Sequence, residues 1–127
     1  MSYKNVVIKA VNLAIQKNLS PVDAWERVVV EEFPGSKESQ KKSCPKNTFL
    51  GLCEEGKING IPSGTYTRSI KNKRYALNAI KILSTNSALT ASELWKEVLK
   101  KETDKNKVPN SQMEVVLALW KIGLIRK

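Results

Sequence analysis

Histidine is missing altogether from this 127-residue chain. Without an imidazole there is no Ser/His or Cys/His nucleophile pair and no imidazole metal site. Cysteine is scarce as well, with Cys44 and Cys53 the two present. On one helix they would stand roughly 13 Å apart along the axis, too far for a bridge. Two thiols without histidine also fall short of a structural zinc site. Free thiols in a reducing compartment are expected. Long apolar runs are absent: the stretch after Met1-Ser2-Tyr3-Lys4-Asn5 is broken by Lys9, Asn12 and Gln16, which excludes a signal-peptide core and a membrane span. The expectation is a cytoplasmic protein with no membrane association, no metal and no cofactor.

One absence is local. From Gly56 to Ser92 there is no Asp or Glu, while Lys57, Arg68, Lys71, Lys73, Arg74 and Lys81 supply six positive charges. That stretch cannot neutralise itself from its own residues. It is the sharpest part of a general excess, a net charge of +10, which points to anionic polymers or surfaces as partners.

What is present suits a folded domain. The apolar fraction of 41% and charged fraction of 27% are ordinary, and apolar residues are spread along the whole length. A chain of this size buries roughly two-thirds of the surface it exposes when unfolded, so no disulfide or metal is needed to hold it.

The chain also reads as a repeat. Leu19-Ser20-Pro21-Val22-Asp23-Ala24-Trp25-Glu26-Arg27-Val28-Val29 aligns without a gap on Leu89-Thr90-Ala91-Ser92-Glu93-Leu94-Trp95-Lys96-Glu97-Val98-Leu99. Ser20 and Thr90 stand as N-caps, with Asp23 and Glu93 placed to complete capping boxes and Pro21 at a first helical position. Upstream, Ala10-Val11-Asn12-Leu13-Ala14 pairs with Ala79-Ile80-Lys81-Ile82-Leu83. Downstream, Leu52 to Ile58 pairs with Leu119 to Ile125, each carrying a glycine stop, Gly56 or Gly123. The expected fold is all-α: two three-helix units, residues 1–61 and 62–127, resembling helix-turn-helix units and packed as one domain. The six spans are Tyr3 to Lys17, Pro21 to Phe33, Pro45 to Glu55, Lys71 to Leu83, Ala91 to Glu102 and Ser111 to Ile122. Between the units, Asn59-Gly60 flanked by Ile58 and Ile61 reads either as a tiny β-hairpin or as a one-turn loop.

The joint carries the candidate site. Thr65 to Tyr75 interleaves cations with hydroxyls and rings, the side-chain set that contacts phosphates and stacks on bases. Lys46, Lys57, Arg68, Lys71, Lys73 and Arg74 are the expected phosphate contacts, with Tyr66 and Tyr75 as stacking rings. The competing readings are docking on an acidic protein and simple solvation of a charged face. A tight helix-turn-helix reader is disfavoured, because the connections before the third helices are long and those helices are apolar. Two enzymatic readings are weaker. Cys44, near Lys41, Lys42 and Lys46 at a helix start, would be a reactive thiol, or else a small residue packed there. Glu55-Gly56-Lys57 has an E-x-K spacing found in metal-dependent nucleases, but at a helix end rather than on a strand.

Cys44-Pro45-Lys46-Asn47-Thr48-Phe49-Leu50-Gly51-Leu52-Cys53-Glu54-Glu55-Gly56, with Gly60-Ile61-Pro62, Tyr66-Thr67-Arg68 and Asn72 to Leu77, resembles a small family of uncharacterised bacterial proteins. The resemblance implies a bacterial cytoplasmic protein and carries no activity with it. The functional expectation from sequence is a non-enzymatic protein that binds nucleic acid through the basic joint, or alternatively docks an acidic protein partner.

Overall fold

The computed structural model describes residues 2–126. Among them seven helices follow one another: α1 (Tyr3–Lys17), α2 (Pro21–Glu32), α3 (Lys37–Lys41), α4 (Ser43–Glu54), α5 (Ile70–Thr85), α6 (Ala91–Leu99) and α7 (Gln112–Lys121). The fold is all-α. Six helices fall on the expected spans, and the seventh, α3, is a five-residue turn inside the polar Pro34–Ser43 loop.

Local chemistry sets the helix ends. Ser2, Ser20, Ser69 and Thr90 each accept a hydrogen bond from the backbone N–H three residues on, satisfying one of the free donors of α1, α2, α5 and α6. The full capping box closes only at α6, where Glu93 bonds back to the Thr90 N–H at 2.9 Å. In α2 the Ser20 half forms (3.1 Å) and no return bond does, because Asp23 is one methylene shorter than Glu93. α6 stops at Leu99 rather than running to Glu102. Its end tightens into Lys101 N–H to Val98 and Glu102 N–H to Leu99 bonds, and the Lys105 ammonium takes the carbonyls of Lys100 and Glu102.

The two glycine stops behave alike. Gly56 and Gly123 have φ of +68° and +77°, a conformation that penalises any residue with a Cβ. After each, an N–H bonds back to a helical carbonyl: Lys57 to Leu52 at 2.9 Å and Leu124 to Leu119 at 3.0 Å. The two exits then meet. Ile58 forms an antiparallel bridge with Ile125, with Asn59 N–H donating to Leu124 O (2.8 Å) and Arg126 N–H to Lys57 O (2.7 Å). Asn59-Gly60 does make a turn, closed by Ile61 N–H to Ile58 O, but it does not make a hairpin: the partner of Ile58 is distant in sequence. Ile58 and Ile125 are both buried, which favours this pairing over a solvent-exposed flap.

Packing crosses between the units. α1 lies against α2 and α7, α5 lies against α6, α4 and α7, and α4 meets α7, so helices from residues 1–61 pack directly on helices from residues 62–127. One cluster of buried side chains draws on both units. In it Trp25 is stacked between Tyr3 (6.3 Å) and Phe49 (5.5 Å), and Trp95 meets the edge of Tyr75 at 5.3 Å. The apolar faces of α4 and α7, including Phe49, Leu52, Val116 and Leu119, lie inside this core, so neither is a groove-reading helix.

Candidate functional site

The joint between the units is an extended strap, residues 62–69, leading into α5. Glu54, at the end of α4, is its anchor. The Glu54 carboxylate accepts the N–H groups of Tyr66 (2.8 Å) and Thr67 (3.2 Å) and the Lys73 ammonium (2.8 Å), while its carbonyl accepts Gly64 N–H. Lys73 first, and then the two backbone N–H groups, hold the Glu54 carboxyl down at about 2. The Thr67 hydroxyl bonds to Asn47 Oδ1 at 2.9 Å and receives Ser69 N–H. α4 and α5 touch closely beneath the strap: a Cβ on Gly51 would stand 2.7 Å from Lys73 Cβ and 2.8 Å from its Cα, so glycine is what permits the approach.

The expected phosphate-binding residues separate into two groups. Lys73 sits between Glu54 and Glu55 (2.8 and 2.7 Å), outnumbered by carboxylates. Arg74 donates through two nitrogens to the carboxylate of Glu102, a buried acid whose carboxyl this guanidinium lowers. Lys46 pairs with Glu26 at 2.8 Å. Tyr75 is only 3% exposed; burial raises its hydroxyl pKa, and its ring belongs to the core against Trp95. That corrects the stacking role expected of Tyr75, since a ring with no free face cannot receive a base. Tyr66 is half-buried, its hydroxyl donating to Pro62 O. Arg68, Lys71 and Lys81 are exposed and form no salt bridge among the described residues, and Lys57 is half-buried.

Arg68 and Lys81 edge a groove of about 330 Å³ along α5, whose lining also includes Thr67, Ile70, Lys73, Arg74, Leu77 and Asn78. Its mouth is apolar: Ile70, in the first turn of α5, is 76% exposed. Leu77, further along α5, lies half-buried in the same lining. The groove therefore offers an aliphatic strip between separated cations, with Glu54 on one wall.

Cys44 is half-buried in the first turn of α4, its carbonyl accepting the Thr48 hydroxyl, and Cys53 is buried with its thiol pKa pushed well up by desolvation. Glu55, of the E-x-K triplet, is taken up by Lys73. No group of three or more acidic or cysteine side chains able to hold a metal exists among the described residues. No helix among them is long and apolar enough to cross a membrane.

Three acids matter here whose structural roles the sequence did not assign. Glu54 anchors the strap. Glu32, buried at the end of α2, accepts from Ser2 N–H, Asn5 and Lys9 on α1, and Lys9 first among these holds its carboxyl at about 2. Glu102 ties α5 to the end of α6 in the same way. The signal was available: the alignment that sets Leu19 on Leu89, carried three residues further, sets Glu32 on Glu102.

No curated protein and no solved structure matches the chain. A family model described as a family of unknown function, DUF6979, matches residues 1–126, and the chain belongs to that family.

Proposed function

We propose that the protein is a non-enzymatic docking module whose α5 groove receives an acidic, apolar-bearing polypeptide segment. The observation that carries this reading is the exposed Ile70 and half-buried Leu77 lining one groove with Arg68 and Lys81, two cations that form no salt bridge among the described residues. An amphipathic acidic segment would cover the aliphatic strip and place carboxylates near the cations. Charge complementarity of this kind sets orientation and encounter rate, while the apolar contact supplies most of the affinity.

The same geometry weakens the nucleic-acid reading. With Tyr75 in the core and Tyr66 half-buried against it, the joint offers little ring surface for stacking. With Lys46, Lys73 and Arg74 paired, Arg68 and Lys81 remain on the groove, and two phosphate contacts predict only about a twelvefold loss of affinity between 50 and 200 mM salt. A phosphate backbone would also leave Ile70 uncovered.

Fluorescence anisotropy tests the proposal with two probes, a short labelled peptide alternating glutamate with leucine and a labelled oligonucleotide, single-stranded and duplex. The peptide is expected to bind, and Lys81→Glu and Ile70→Ser, both at exposed positions, are each expected to weaken it about tenfold. Oligonucleotide binding with no peptide binding rejects the reading, as does peptide binding that neither variant disturbs.

A further inference from the structure

A second cleft lies far from the α5 groove in sequence, where the start of α1 and the start of α6 meet α7. It has a volume of about 400 Å³, and Lys4, Thr90, Ala91, Glu114, Ala118 and Lys121 are among its lining residues. The internal correspondence says what such a cleft holds. The register that pairs Ala10 with Ala79 sets Lys4 on Lys73; the one that pairs Leu19 with Leu89 sets Thr90 and Ala91 on Ser20 and Pro21. The register that pairs Ile58 with Ile125 sets Glu114, Ala118 and Lys121 on Asn47, Gly51 and Glu54. The last register is also the one in which the two ladder bonds, Asn59 to Leu124 and Arg126 to Lys57, exchange with each other. Helix pairing obeys the same exchange, α1 on α7 answering to α5 on α4.

The first of these two places is crossed by the strap and keeps two open clefts beside it, the α5 groove and one of about 270 Å³. The strap runs there, with Thr67 bonded to Asn47, the N–H groups of Tyr66 and Thr67 on Glu54, and Tyr66 bordering the cleft that Ser20 and Pro21 line. The Tyr66 side chain packs against the core. In the second place no segment of the described chain does this. The chemistry there is altered in one consistent respect: the position of Glu54, which accepts strap N–H groups, is held by Lys121, and the position of Lys73 is held by Lys4. Both lysines are exposed, and neither forms a salt bridge among the described residues.

We propose that this cleft binds an extended, acidic peptide segment carrying an aromatic side chain, laid down as the strap is laid in its counterpart. The ring would lie over Leu117 and Ala118, which line the cleft. Carboxylates flanking the ring would meet Lys4 and Lys121 where the strap's N–H groups meet Glu54. Glu114, exposed at the rim, disfavours a further acid beside it and so gives the bound segment a direction. The site is independent of the α5 groove and stands or falls separately.

The probe is the strap's own octapeptide, Pro62 to Ser69, capped at both ends and carrying Thr65→Glu, Thr67→Glu and Arg68→Gln. It is titrated into the uniformly ¹⁵N-labelled full chain and followed by amide chemical shifts. Shifts are expected at Lys4, Ala91, Ala118 and Lys121 and not at Arg68 or Lys81. Lys121→Glu, an exposed change that leaves the thermal midpoint near its original value, is expected to weaken binding at least tenfold, and Tyr66→Ala in the peptide to do the same. No shifts at millimolar peptide, shifts confined to the α5 groove, or undiminished binding to the Lys121→Glu protein each overturn the proposal. A short oligonucleotide that shifts the cleft amides while the peptide does not overturns it too.

Discussion

Trp25 and Trp95 occupy matching places in the two halves, yet their indole nitrogens differ, and replacing each by phenylalanine separates two energetic effects. Trp95 Nε1 donates to the Lys107 carbonyl at 3.2 Å. Trp25 is 0% exposed, and its Nε1 has no hydrogen-bond partner among the described residues. The loss of ring volume is similar at the two sites and costs on the order of 1–2 kcal/mol in transfer and cavity terms. At Trp95 the substitution also deletes a satisfied bond, about 1 kcal/mol, for a total of about 2–3 kcal/mol. At Trp25 it removes a buried donor that has already lost its water, which returns about 1–3 kcal/mol and brings the net change close to zero. The two variants should thus differ by about 2 kcal/mol or more, equivalent to roughly 6 °C or more in Tm for a chain of this size. Urea unfolding followed by circular dichroism at matched m-values measures the difference without relying on the fluorophore being changed. If Trp25→Phe proves as costly as Trp95→Phe, the first indole is not an unsatisfied donor and the reasoning fails.

Acid should destabilise the fold through particular carboxyls. Glu32 and Glu54 are each held at about 2, below the ordinary value of 4.5, so their contribution is complete above about pH 5 and is lost as pH falls from there toward 2. Urea midpoints across that range should decline, and Glu54→Gln should flatten the decline; a slope unchanged in the variant would refute the assignment. Gly51→Ala should cost about 1–2 kcal/mol, because the overpacking against the Lys73 backbone outweighs the gain in helix propensity, and a stabilised variant would contradict the close approach of α4 and α5. Iodoacetamide should label Cys44 well before Cys53, whose thiol is buried and pushed up in pKa; equal labelling rates, read by mass spectrometry, would contradict the placement of α4.

Helices were legible because their signals are local. Ser20, Thr90, Pro21 and the glycines at 56 and 123 all act within one turn of themselves, and all sit where those local rules put them. Of the two readings of Asn59-Gly60, the one-turn loop is the one that forms, and what lies beside it was not legible for the opposite reason. Asn59-Gly60 specifies a turn, which forms, but a turn does not choose the strand beside it. Burial of Ile58 against Ile125 made that choice through a contact between residues far apart in the chain. α3 was not foreseen because five polar residues show no apolar period to detect.

The basic joint illustrates how far a count of charges along the chain can mislead about charge in space. Gly56 to Ser92 is acid-free in sequence, yet α4 delivers Glu54 and Glu55 to Lys73, and the end of α6 delivers Glu102 to Arg74. All three acids lie outside the stretch they neutralise. Side chains buried on one side bring their neighbours into fixed contact, so Lys73 and Arg74, on the packed flanks of α5, are the cations that pair. The same packing decides the rings: Tyr75, on the inner face of α5, is consumed by Trp95, while Ile70 in the first turn is left open. What the fold leaves exposed on this surface is therefore an aliphatic strip with Arg68 and Lys81 at its edges, a pattern that the acid-free run of the sequence does not disclose.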